Sequence, residues 1–113
     1  MSGRFFSTAA QVKLDATGAG QVSISPPSVD WTVSLTSVNV SSHTLEPTFT
    51  LYLNGVSPTA FLEGSYSGSQ DSSDTEHRVM AGQSLIGVWN GGDAGAVATL
   101  RVTGQAYPQG QMG

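Results

Sequence analysis

An all-β, antiparallel β-sandwich of about eight strands is what this sequence predicts, and three observations carry the prediction. Short runs rich in Val, Thr, Ile, Tyr and Phe recur about every ten residues between clusters of Gly, Pro, Asn, Asp and Ser. That is the rhythm of a sandwich or barrel, not of strands alternating with helices. Residues 95–104 alternate cleanly, with Ala96, Ala98, Leu100 and Val102 on one side and Thr99, Arg101 and Thr103 on the other, the period of a strand with one wet face. No segment has a helical period. The winding is expected to be jelly-roll-like or immunoglobulin-like.

Each run has its own signature. The first two span residues 5–16 and 20–25, and Pro26-Pro27 closes the second because neither proline can donate to a ladder. The third, 30–42, carries Trp31, Val33 and Leu35 in one parity and then Val38 and Val40 in the other. A β-bulge or a change of sheet is therefore expected near Ser37. The fourth, 48–54, sets Phe49, Leu51 and Leu53 opposite Thr48, Thr50 and Tyr52, so the first three are expected in the core. Asn54-Gly55 then supplies a turn that tolerates positive φ. Runs 59–63 and 76–80 are short. In 83–90 both parities are apolar, so that strand is central or has its outer face covered by another subunit. The last run is 95–104. Trp31 and Trp89 are expected to pack in the core or at its rim.

The chain of 113 residues reads as a single sandwich domain over 1–104, followed by a polar tail over 105–113 expected to be mobile when free. Residues 64–74 form the longest polar segment and are expected to be an exposed loop. Cysteine is absent, which excludes disulfides and thiolate metal sites and leaves packing and backbone hydrogen bonds to hold the fold. Only 11% of residues are charged, against ~25% in an ordinary soluble domain. A net charge of −4 with four basic residues argues against nucleic acid, whose binding needs clustered Lys and Arg. The first seven residues lack the apolar core of a secretory signal, and no stretch approaches the ~20 apolar residues of a membrane span. Synthesis in the cytoplasm, with no membrane partner, is the expectation.

Chemistry is sparse. Asp71, Asp74 and Glu76, with Glu63 and Asp93 as further carboxylates, are the candidate ligands for a cation such as calcium, which takes several oxygen donors. Their spacing fits no EF-hand, and the same residues serve turns, so no metal or other cofactor is assigned. His43 and His77 accompany many serines, but no Gly-x-Ser-x-Gly or His-Glu-x-x-His motif is present. Both histidines are read as surface residues, no catalytic residue is assigned, and the chain is read as a non-enzyme. Among the aromatics, Tyr66 stands in the polar segment and is the candidate for touching a partner. Ile86, Val88 and Tyr107 complete the candidate contact residues.

Leu51-Tyr52-Leu53-Asn54-Gly55, then Leu62-Glu63-Gly64-Ser65-Tyr66-Ser67-Gly68 with Asp71 and Asp74, then Gly82-Gln83-Ser84-Leu85 and Val88-Trp89-Asn90-Gly91-Gly92-Asp93 together resemble small β-sandwich virion proteins of tailed bacteriophages, especially those infecting actinobacteria. The resemblance covers most of the chain from Trp31 to Gly104. It implies a viral structural protein without catalysis, assembled in the host cytoplasm and carried on the virion. There it would be a capsid decoration protein, or a neck or tail component, acting as a homo-oligomer with major capsid or tail proteins as partners. The N-terminal run and the C-terminal tail are the segments expected to reach neighbours, by strand addition or as an arm. The alternative is a tail-associated host-recognition or carbohydrate-binding module of the same fold.

Overall fold

The structure is a computed structural model that describes residues 3–42, 44–64 and 68–108. Among the described residues nine strands run in order: β1 (Arg4–Lys13), β2 (Gly20–Ile24), β3 (Val29–Val40), β4 (Thr48–Leu53), β5 (Phe61–Gly64), β6 (Gln70–Ser73), β7 (His77–Val79), β8 (Leu85–Asn90) and β9 (Val97–Pro108). A 3-10 turn at Pro58–Ala60 precedes β5. Sheet A has the order β1-β9-β3-β6, with β7 pairing the same edge of β3 beyond β6; sheet B has the order β2-β8-β4-β5. Every pairing is antiparallel. With β6 and β7 taken as one interrupted strand, the first strand pairs with the last, the second with the next to last, and so on inward. That winding is a jelly roll, not an immunoglobulin fold.

The alternation read in the sequence explains the core. Ala98, Leu100 and Val102 of β9 are fully buried and face Leu51, Leu85 and Trp89 of sheet B, also fully buried. Phe49 and Trp31 are buried as expected, while Leu53, expected in the core, is half-buried and packs against its edge. Trp31 stacks on Phe6 with ring centroids 4.4 Å apart. Trp89 donates its indole N–H to the Gly68 carbonyl at 3.0 Å, so its one polar atom is satisfied inside the core. Gly87 lies where the sheets approach closely: a Cβ there would meet the Phe49 ring at 2.7 Å.

Four expectations need correction. The parity change in β3 falls between Val33 and Leu35, not near Ser37. Thr36, Val38 and Val40 therefore point inward and Leu35 is exposed. Opposite the bulge, a Cβ on Gly104 would come within 2.0 Å of the Thr32 carbonyl, so only glycine lets β3 kink there. Second, the polar segment expected as a loop contains β6, paired with Thr36–Asn39 register for register, and Gly68 and Ser69 before it are buried. Third, β9 continues past Gly104 to Pro108, with Gln105–Tyr107 held between β1 and β3 or against β3. Fourth, His77 is buried, 8% exposed, and not a surface residue. His43 lies outside the described residues.

One end of the sandwich is braced by carboxylates. Asp93 Oδ1 accepts from the Thr44 hydroxyl at 2.8 Å and from Leu45 N–H at 3.0 Å, while Oδ2 accepts from Thr44 N–H and the Ser42 hydroxyl. Asp15 Oδ1 gathers the Thr17 hydroxyl and the N–H groups of Thr17 and Ala19. These donors, led by the Thr44 and Thr17 hydroxyls respectively, hold both carboxyls below their ordinary value.

Candidate functional site

The outer faces of the two sheets differ in chemistry, and the difference follows from strand register. On sheet B the cross-strand pairs Tyr52↔Ile86, Thr50↔Val88, Gln21↔Val88 and Tyr52↔Phe61 all point away from the core, because their neighbours Leu51, Gly87, Val22 and Trp89 point into it. Ile86, Val88 and Tyr52 are half-buried by one another. Phe61 is 53% exposed and Val56, beside it in the approach to β5, is 51% exposed. Tyr52 and Phe61 meet edge to face at 6.4 Å and, with Val56 and Pro58, line a shallow depression. No charged side chain points outward from any of the four strands.

Sheet A presents hydroxyls, amides and cations instead. Ser7 and Thr103 share a hydrogen bond at 3.2 Å, Gln11 donates to Thr99 at 3.1 Å and Arg101 donates to Ser7 at 3.3 Å. Lys13 and Arg78 also point outward here. Phe5 and Leu35 are exposed on this face, but Gln105 and Thr103 of β9 lie between them.

The flank where β5 faces β6 and β7 is polar on the inside. His77 Nε2 meets Glu63 Oε2 across the gap between sheets, joining β7 to β5. Glu63, Asp71 and Asp74 line an open cleft of about 450 Å³, together with Ser72, Ser73 and Thr75 and with Phe49 as apolar floor. Thr36 forms part of its wall, and its buried hydroxyl has no hydrogen-bond partner among the described residues.

Of the residues the sequence singled out, Ile86 and Val88 sit side by side on β8 at the centre of the sheet B face. Tyr107 is on sheet A, paired with Asp30, its ring packed over the backbone at Gly3. Tyr66 lies outside the described residues. Asp71, Asp74 and Glu76 do not converge: among the described residues no three His, Asp or Glu side chains are grouped to hold a metal ion. Sequence reading missed Phe61 and Val56, which sit in no alternating run, and Glu63–His77, whose members are joined only by the packing of two sheets. Comparison of the chain with family models, with curated proteins and with solved structures gave no match.

Proposed function

We propose that this protein is a non-enzymatic structural component of a tailed-phage virion, a capsid decoration protein that works as a multimer and binds particle proteins through the outer face of sheet B. The jelly roll alone does not carry the reading, because the fold hosts unrelated functions. The observation that carries it is the uncharged strip Tyr52, Ile86, Val88 and Phe61, contiguous across three strands, where the exposed apolar residues of sheet A, Phe5 and Leu35, are separated by polar neighbours. Contiguous exposed apolar surface rimmed by polar groups marks a contact surface, and aromatic residues free of charge are what the buried centre of such contacts uses. Stabilising a shell by added contact area needs breadth and complementarity, not a reactive group. The test is co-sedimentation of the purified chain with capsids of its phage. Binding that Val88→Lys abolishes is the expected result; no binding by the wild type would overturn the reading.

A second reading, a carbohydrate-binding module, draws on the flank cleft, whose volume and mix of carboxylates and hydroxyls over Phe49 suit a sugar ring. It requires micromolar glycan affinity that Thr36→Val and Asp74→Asn both weaken.

A further inference from the structure

A β-sheet edge offers unpaired N–H and C=O groups to any passing strand, and folded proteins block their edges with short strands, bulges, prolines and inward-pointing charges. The two flanks of this sandwich differ in these devices. On one, β5, β6 and β7 are four, four and three residues long. The register beside β5 breaks between Leu51 and Tyr52, and Glu63, Asp71 and His77 point inward. All of these discourage strand addition. On the other flank, β1 runs ten residues in unbroken register with β9. Between Arg4 and Lys13 it holds no proline, no bulge and no charge. Among the described residues nothing pairs with its outer edge.

We propose that the outer edge of β1 pairs with β1 of a second copy, antiparallel about a two-fold axis, to join two sheets A into one. The self-pairing follows from parity. A two-fold normal to the sheet keeps both cores on the same side, so inward residues Phe6, Thr8, Ala10 and Val12 must meet inward residues of the other copy. Only even-to-even and odd-to-odd registers satisfy this. Arg4 and Lys13 have opposite parity and are never brought face to face, so the two cations do not oppose the pairing. Registers centred on Thr8 or Ala9 align nearly the full strand and place small neutral side chains at the axis: Ser7, Thr8, Ala9 and Ala10. The inference deepens the multimer proposed above and rests on that multimer; it does not depend on which particle the multimer binds.

Sedimentation equilibrium of the full chain from low to high micromolar concentration tests it, beside amide exchange of the same samples. The wild type is expected to pass from monomer to dimer, with slowed exchange confined to alternate β1 amides, those facing away from β9. Ala9→Lys, on the exposed side and next to Arg101 of β9, is expected to weaken the dimer about tenfold or more by setting like charges across the axis. An equimolar mixture with Ala9→Glu is expected to restore dimers. A wild type that stays monomeric throughout overturns the inference. So does a dimer that survives Ala9→Lys, or one that Val88→Lys dissolves. A wild type that dimerises but does not bind capsids would count against the capsid reading alone.

Discussion

The two outer faces of this sandwich come from the same alternation of strands, yet one is dressed for water and the other is not. On sheet A most outward positions of β1 and β9 are Ser, Thr, Gln, Lys and Arg, several of them bonded to each other across the strands, with Phe5, Ala9, Val97 and Tyr107 scattered among them. On sheet B the outward positions of β8 and β4 include Ile86, Val88 and Tyr52, joined by Phe61 of β5. Both faces lie over one shared core, so folding needs neither to be apolar on its outside. The lesson is that an apolar outward position on a strand whose inward positions already fill the core is not explained by the fold, and under the proposed function it marks the side that meets a partner.

The contrast can be broken from beneath or from above. Trp89→Ala empties the core under both faces and leaves the Gly68 carbonyl without its donor; a loss of about 3–5 kcal/mol in denaturant unfolding is expected. An unchanged midpoint would mean that the faces do not share that core. From above, Val88→Lys is expected to cut capsid binding about tenfold or more while shifting stability little, because the lysine can reach solvent from a half-buried site. At the flank, Glu63→Ala strips buried His77 of its carboxylate partner and is expected to cost about 1–3 kcal/mol. Thr99→Lys, the counterpart of Val88→Lys on sheet A, is expected to stay within about 0.5 kcal/mol in stability and leave capsid binding as it was.

Acid gives a gentler test of the braced end. Asp15 and Asp93 titrate below 3.8 in the folded chain, so their contribution is fully present above the unfolded carboxyl value and lost as pH falls through the lower folded values. Stability should therefore fall below about pH 4, and Asp93→Asn should flatten that fall. Equal slopes for wild type and variant would show that the Thr44 and Ser42 hydrogen bonds do not favour the carboxylate.

The sequence was most legible where one strand both alternates and lies deep. β9 and β4 announced their inward residues, and β8 its central place, because burial on one or both faces leaves a period that needs no knowledge of neighbours. Edge elements were less legible. β6, Gln-Asp-Ser-Ser, has no apolar residue: its inward side meets the open cleft and its strand form comes from pairing with β3. Gln105–Tyr107 looked like tail because their composition is polar, yet β1 and β3 are long enough to keep β9 in ladder there. The bulge between Val33 and Leu35 was displaced in the reading because Leu35 is apolar but outward. Of the proposed contact surface, Ile86 and Val88 were visible as the second apolar parity of a strand, while Tyr52 and Phe61 joined them only through register.

The decisive measurement is capsid co-sedimentation of three proteins side by side: wild type, Val88→Lys and Thr99→Lys, each first shown to unfold at a similar denaturant concentration. Binding by wild type and Thr99→Lys, with Val88→Lys left in the supernatant, is the expected result. Equal binding by all three, or loss with Thr99→Lys alone, would contradict the assignment of sheet B as the contact face.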